Sequence, residues 1–117
     1  MTLLAIDHVQ LAMPAGDEDK ARTFYRDILG LDEVTKPPAL AVRGGCWFGG
    51  NVQIHLGVEA DFRPAKKAHP AFTVDGLDDF ANKLAESGFS VTWDENIPGL
   101  RRFYTADPFG NRIEFSE

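Results

Sequence analysis

The chain has 117 residues, which suits one domain of common size and is too short for two full independent domains. Its composition, with 44% hydrophobic and 26% charged residues, is ordinary for a globular protein and argues against a disordered or fibrous chain. A formal net charge of −6 argues against a surface for nucleic acid or anionic lipid, since both need clustered lysine and arginine. The basic pairs Lys66-Lys67 and Arg101-Arg102 are too short for such a patch and are interpreted as solvated charges.

Cysteine content and hydropathy bear on the cellular location. Cys46 is the single cysteine, so neither an internal disulfide nor a zinc ribbon is expected. The N-terminal residues lack the basic start and unbroken apolar run of a signal peptide. No stretch approaches the roughly 18 apolar residues that a membrane span requires. We therefore predict a cytoplasmic protein with no membrane partner.

The first half of the chain predicts a strand, a helix and three further strands. Polar and apolar residues alternate over residues 3–13, which is typical of a strand with one apolar face. Apolar residues then recur at helical spacing over residues 21–29, and Gly30 ends the helix. Three more strands are predicted at residues 31–34, 39–42 and 52–58. Residues 46–48 are assigned to the middle one or to its hairpin.

The same order of elements returns after a polar connector over residues 59–67. A strand is predicted at residues 69–74, and a helix with apolar residues between positions 77 and 85 ends at Ser87-Gly88. The remaining strands are predicted at residues 89–93, 102–105 and 112–115. This repeat indicates a tandem duplication: an α+β fold in one domain, with two βαβββ modules at about residues 1–58 and 67–117 whose mixed sheets curl into a groove.

Four candidate metal ligands occupy matching places in the two modules. His69 follows His8 by 61 residues, and Glu114 follows His55 by 59. Each is predicted on the polar side of its strand, so that curled half-sheets would bring three imidazoles and one carboxylate together. This ligand set suits Fe(II), Mn(II), Ni(II), Co(II) or Zn(II), and open coordination positions would admit oxygens of a substrate.

Each of these residues also has a structural interpretation. A histidine on a strand is usually a hydrogen-bonded structural residue, and Glu114 taken alone could be a solvated carboxylate. The chain has only three histidines, however, and all three fall at repeat-related positions, which favours the metal interpretation. Trp47 and Phe48 are interpreted as core residues. Further polar side chains near the predicted groove are candidates for substrate binding: Gln10, Gln53, Tyr104 and Arg112.

Five segments resemble the vicinal oxygen chelate superfamily, which includes glyoxalase I, fosfomycin-resistance and bleomycin-resistance proteins and extradiol dioxygenases. They are IDHVQLAMP, KARTFYRDILGL, VQIHLG, AHPAFTVDGL and RFYTADPFGNRIEFSE. The resemblance covers essentially the whole chain, and the DPFGN sequence before Glu114 is its most specific part. It implies metal ligands at His8, His55, His69 and Glu114, with catalytic roles for His55 and Glu114.

The resemblance leaves the reaction open. It implies a metal-dependent lyase, isomerase, thiol transferase or dioxygenase acting on a small oxygen-rich metabolite that the metal chelates. Glyoxalase I usually has a glutamate where this chain has His55, which argues against a methylglyoxal isomerase. The alternatives are a non-catalytic, bleomycin-type binding protein and a structural or regulatory dimer with incidental histidines. The resemblance also implies a homodimer. Two arrangements of the site stay open: the four ligands come from one chain, or His8 and His55 of one subunit pair with His69 and Glu114 of the other.

Overall fold

The chain folds into two similar units. The structure, a computed structural model, describes residues 1–117, and its compact units are Met1–Arg63 and Pro64–Glu117. Each unit contains a four-stranded mixed sheet with the same strand order, and each has a helix between its first and second strands. The predicted α+β architecture of two βαβββ modules is thereby confirmed. None of the helices is long and apolar enough to cross a membrane.

Unit 1 has the strand order β1-β4-β3-β2, in which β1 runs parallel to β4 and the other neighbours are antiparallel. Its strands are β1 (Val9–Met13), β2 (Asp32–Val34), β3 (Cys46–Gly49) and β4 (Ile54–Val58). Its helices are α1 (Glu18–Ala21), which continues as the π-helical segment Arg22–Ile28, and α2 (Pro38–Ala41). Apolar faces of the sheet and helix form a core that includes Leu11, Met13, Phe24, Tyr25, Phe48, Ile54 and Leu56.

Unit 2 repeats this order as β5-β8-β7-β6, with β5 parallel to β8. Its strands are β5 (Ala71–Thr73), β6 (Thr92–Asp94), β7 (Arg102–Ala106) and β8 (Arg112–Ser116), and its helix is α3 (Leu77–Glu86). Apolar side chains of α3 recur at helical spacing and pack on the sheet, since the ring centroids of Phe80 and Phe115 lie 4.9 Å apart. The core of the unit includes Leu77, Leu84, Phe103, Ile113 and Phe115.

Two sequence-based assignments are wrong. Residues 39–42 were predicted as a strand, but the helix α2 covers Pro38–Ala41 and is followed by β3 as the middle strand. The reason is Pro38, whose fixed backbone angle suits the first turn of a helix. The first strand begins at Val9, later than the predicted start at residue 3, because residues 1–8 lie outside any strand and are exposed. Their exposed large apolar side chains are Met1, Leu3, Leu4 and Ile6.

The helix predicted at residues 21–29 is present, but most of it is wider than an α-helix. The Leu29 amide N–H donates to the Phe24 carbonyl oxygen at 2.9 Å, one residue further back than in an α-helix. The consecutive residues Phe24 and Tyr25 of this segment are both fully buried.

Gly45 allows β3 to enter the sheet beside β4. Its φ is +82°, and a Cβ at this position would overlap the Leu56 carbonyl oxygen. Only glycine has both the backbone freedom and the clearance for this approach. The register that follows sets Cys46 opposite Leu56 and Trp47 opposite His55.

Candidate metal site

The first candidate ligand pair lies in unit 1, where His8 contacts His55. Parallel pairing of β1 with β4 sets Gln10 beside His55, and His8 directly precedes β1. The two imidazole rings stack with centroids 4.0 Å apart and planes at 18°. The Nδ1 atom of His8 lies 2.8 Å from the Asp7 carboxylate, and 40% of the His8 side chain is exposed. The pair therefore faces open space on the polar side of the sheet.

Trp47 holds the His55 ring from the adjacent strand. Its ring lies 4.1 Å from the imidazole at an interplanar angle of 8°. Since β4 lies between β1 and β3, His55 is sandwiched between His8 and Trp47. Burial, together with the nearby His8 charge, lowers the pKa of His55. The imidazole thus favours the neutral form that binds metals.

The second candidate pair lies in unit 2, where His69 contacts Glu114. Parallel pairing of β5 with β8 sets Ala71 opposite Glu114, and the Glu114 amide donates to the Pro70 carbonyl oxygen at 3.0 Å. His69 lies in the connector just before β5, with its Nε2 atom 3.0 Å from Glu114 Oε1. Its Nδ1 atom lies 2.8 Å from the Lys67 carbonyl oxygen.

Glu114 is a buried carboxylate with several partners. Only 10% of its side chain is exposed, and Arg102 lies 3.4 Å from Oε2. Burial alone would raise the pKa of the Glu114 carboxyl. Hydrogen bonds from His69, Arg102 and Tyr104 outweigh that effect, so the pKa lies below its usual value. The carboxylate is consequently ionised at neutral pH and available as a ligand.

The side chains of the DPFGN sequence fix the turn before β8. The Asp107 carboxylate accepts hydrogen bonds from the backbone amides of Phe109 and Asn111, both at 2.9 Å. The side-chain amide of Asn111 donates to Asp107 and accepts from the Ala65 amide, each at 3.0 Å. The Arg112 amide in turn donates to the Ala65 carbonyl oxygen at 2.9 Å. This network fixes the start of the strand that carries Glu114.

The predicted substrate-binding residues of unit 1 fold back on their own sheet. The side chain of Gln10 lies against Gly57, in the space that a Cβ there would occupy. Gln53 donates to the Gly50 carbonyl oxygen at 3.3 Å, within its own turn. Both side chains are exposed and remain predictions as substrate contacts.

The predicted substrate-binding residues of unit 2 lie beside the ligand pair. Tyr104 is the cross-strand neighbour of Glu114, and its ring meets the His69 ring edge-on at 5.4 Å. The Arg112 guanidinium lies 3.9 Å from the centroid of the Tyr104 ring. Sequence reasoning missed Arg102 and Asp94, which form an ion pair at 2.6 Å next to Glu114. Strand alternation placed Arg102 on the face of Tyr104, and that signal could have identified it.

Each unit thus supplies half of the predicted ligand set. Two imidazoles meet in unit 1, and an imidazole and a carboxylate meet in unit 2. The structure contains no group of three or more histidine, cysteine, aspartate or glutamate side chains placed to hold one ion. The donor set itself, nitrogen with one carboxylate oxygen, fits a borderline divalent ion. The four-residue site stays a prediction.

Two modules of this order, each with parallel first and last strands side by side, define a vicinal oxygen chelate fold. The family model described as Glyoxalase/Bleomycin resistance protein/Dioxygenase superfamily matches residues 5–115. The chain belongs to this superfamily. Among curated proteins, none matches the chain.

Solved structures show the same fold over nearly the full length. A glyoxalase family protein from Bacillus anthracis is 52% identical, with a TM-score of 0.95 over 100% of this chain and 97% of its own. The fosfomycin resistance protein FosX from Listeria monocytogenes is 16% identical, with a TM-score of 0.79 over 98% and 93% of the two chains. TnmS3, an antibiotic binding protein from Streptomyces sp. CB03234, is 27% identical, with a TM-score of 0.68 over 97% and 98%.

Proposed function

We propose that the chain is a divalent-metal-dependent enzyme acting on a small oxygen-rich metabolite. Its ligands are His8, His55, His69 and Glu114, and the ion is Fe, Mn, Ni, Co or Zn. The reaction is a lyase, isomerase, thiol-transfer or dioxygenase reaction of the kind its superfamily carries out. The observation that carries the proposal is the pairing of candidate ligands in both units, His8 with His55 and His69 with Glu114.

The hydrogen bonds of His69 support a role as ligand. The Lys67 carbonyl oxygen only accepts hydrogen bonds, so Nδ1 of His69 carries a proton. The other ring nitrogen, Nε2, lies 3.0 Å from Glu114 Oε1. A cation could be bound between these two atoms. A second hydrogen bond that fixes the ring in this way is typical of metal-binding histidines.

The proposed ligands have different roles in binding and catalysis. When bound, the ion supplies Lewis-acid stabilisation of negative charge on substrate oxygens. His55 remains neutral, and Glu114 remains ionised, so neither must lose a proton at neutral pH before binding. Glu114 and His55 would also lie beside the substrate. A Glu114 oxygen that does not bind the ion could accept a proton, and His55 could do so when it is not bound to the ion, which is their proposed catalytic role.

The direct test is metal analysis of the protein purified without a histidine tag. We expect near-stoichiometric metal in the wild type and its loss in His8→Ala and His69→Ala. The loss of affinity should be at least about 100-fold, because even residues behind metal ligands change affinity by about 10–100-fold. Glu117→Gln, at the exposed residue that follows β8, is the matched control and should keep its metal. A wild-type protein that binds none of the five metals would contradict the proposal.

We further propose that the site is shared across a homodimer, with His8 and His55 from one protomer and His69 and Glu114 from its partner. Mixed dimers of His8→Ala and Glu114→Gln chains test this arrangement. Sharing places both defects in one site and leaves the other site intact, so the mixed dimer should recover about half of the wild-type metal. Sites confined to single chains would leave every site defective, and no metal would be recovered.

A second candidate function is non-catalytic binding of a small molecule such as an antibiotic. The similarity to TnmS3 favours this alternative. It predicts ligand binding by metal-free protein that is unchanged in His8→Ala, together with no turnover of the bound compound. The metal-dependent proposal predicts that the whole compound binds much more weakly to metal-free protein and to His8→Ala than to the metal-loaded wild type, and that the metal-loaded wild type turns the compound over.

A further inference from the structure

Unit 2 contains a pocket of about 350 Å³ next to the candidate ligand pair. Its polar lining comprises Lys66, Ser90, Thr92, Tyr104, Thr105 and Arg112, and no acidic residue lines it. The whole chain, by contrast, has 18 acidic and 12 basic residues. The pocket therefore has a local charge opposite to that of the whole protein.

Backbone hydrogen bonds bring the two cations together. Ala65 is tied at both its amide and its carbonyl group to Asn111 and Arg112, as described for the turn before β8. Lys66 follows Ala65 directly, so its backbone lies beside Arg112. Gly110 of the same turn has a φ of +91° and lies close to Pro64, which holds the connector against the turn. The two positive side chains are thus neighbours because of the fold.

Neither cation is neutralised within the chain. Arg101 pairs with Asp78, and Arg102 pairs with Asp94 and Glu114, whereas Arg112 and Lys66 form no ion pair. The Arg112 guanidinium instead lies 3.9 Å over the Tyr104 ring, which restricts its position. A half-buried guanidinium held this way, without an acidic partner, retains its hydrogen-bond donors for a ligand.

We propose that this pocket binds the anionic group, a carboxylate or a phosphate-type oxyanion, of the small substrate that the metal chelates. Arg112 and Lys66 supply the charge, and the hydroxyl groups of Ser90, Thr92 and Tyr104 supply further donors. That the bound anion belongs to a substrate rests on the proposed function. The assignment names the substrate class as an anionic metabolite.

Tyr104 connects this pocket to the ligand pair. The Arg112 guanidinium lies over its ring, the His69 ring meets it at nearly a right angle, and Tyr104 is paired across the strands with Glu114. An anion on Arg112 would consequently lie one side chain away from the candidate metal ligands. A compact substrate could therefore reach both places at once.

The test is calorimetric titration of the full-length, metal-free protein with inorganic phosphate and, separately, with acetate at constant ionic strength. We expect the wild type to bind at least one of the two, and the tighter one identifies the anion class. Arg112→Gln and Lys66→Gln should bind it about tenfold more weakly, as is usual for the loss of a charged hydrogen bond. The matched controls are Arg101→Gln and Lys67→Gln, which should bind it as the wild type does.

The outcomes separate this proposal from the proposed function. Binding of neither anion, or equal binding by Lys66→Gln and the wild type, overturns the pocket assignment even if metal analysis succeeds. Equal weakening in Lys67→Gln also overturns it, because the effect would then come from surface charge in general. If only Arg112→Gln and Lys66→Gln bind the anion more weakly and metal analysis finds no metal, the pocket assignment is supported and the metal-dependent function is contradicted. Lys66 is exposed, so its substitution keeps the test valid if Arg112→Gln does not fold.

Discussion

The two candidate ligand pairs occupy equivalent places in equivalent sheets, yet they are held by different forces. In unit 1, His55 is fixed by ring stacking, and 40% of the His8 side chain is exposed with only the exposed Asp7 as a polar partner. In unit 2, 23% of the His69 side chain and 10% of the Glu114 side chain are exposed, and both are held by hydrogen bonds. Duplication has preserved the positions but not the environment.

This difference indicates that the two ligand pairs contribute unequally to metal affinity. The unit 2 pair carries the negative charge and has its donor atoms set by backbone and arginine contacts, so it is the ordered half of the proposed site. The unit 1 pair adds neutral nitrogen ligands from a more open surface. Substitutions in unit 2 should therefore have the larger effects on metal affinity.

The largest expected effect is that of Glu114→Gln. It removes the only carboxylate of the ligand set and should lower metal affinity by at least about 100-fold, more than His8→Ala does, because a charged ligand is lost from a buried place. Competition against a chelator of known affinity measures both variants. A greater loss in His8→Ala would reverse the comparison between the units.

A smaller effect is expected for Asp94→Asn. Asp94 holds Arg102, and its loss would free that guanidinium to pair more fully with Glu114 in competition with the ion. We expect metal affinity to fall about tenfold, within the range for residues behind ligands. The matched control is Asp78→Asn, which breaks a similar pair with Arg101 on the surface. Equal behaviour of the two variants would show that Arg102 does not act through Glu114.

In unit 1, Trp47→Leu should weaken metal binding by about two- to tenfold, since an aromatic pair contributes about 0.5–1.5 kcal/mol. The variant removes the ring that stacks on His55. Trp47→Phe should restore most of the affinity because it restores an aromatic face. Trp93→Leu, at a partly exposed tryptophan of unit 2, controls for loss of an indole elsewhere. If Trp47→Leu and Trp93→Leu have the same metal affinity, ring stacking on His55 does not contribute to metal binding by unit 1.

The smallest effect concerns Cys46, which reports on unit 1 alone because unit 2 has no cysteine. Burial raises the pKa of its thiol to about 11. The raised pKa stabilises the folded state fully below the unfolded-state pKa of about 8.5, and the contribution is lost as pH rises towards 11. At pH 8 we expect iodoacetamide to label the folded protein far more slowly than the denatured protein. Equal rates would mean that unit 1 opens readily.

The sequence predicted the elements better than it predicted their contacts. Alternation and helical spacing located most strands and both long helices, since these patterns depend on neighbours along the chain. The strand predicted at residues 39–42 failed because Pro38 starts a helix there. Likewise, residues 3–8 alternate as a strand would, but no partner strand pairs with them. Pairing is a property of the fold, which a single segment does not reveal.

The candidate site was predictable in its residue types and only in part in its surroundings. The repeat spacing identified His8, His55, His69 and Glu114, and the structure shows them in contact two by two. Trp47 was interpreted as core, although its ring stacks on His55. Such contacts depend on strand register, and the position of Lys66 depends on hydrogen bonds to the distant turn before β8. Neither is encoded in local spacing.

The exposed apolar segment that ends at His8 has a consequence for how the proposed homodimer would behave. Covering Leu3, Leu4 and Ile6 with a second copy would contribute about 1.5–3 kcal/mol for each side chain fully buried. Association and loading with the ion would then be linked by mass action, so each would strengthen the other. Diluting the protein would release its ion, and the fraction of protein that holds an ion would rise with protein concentration.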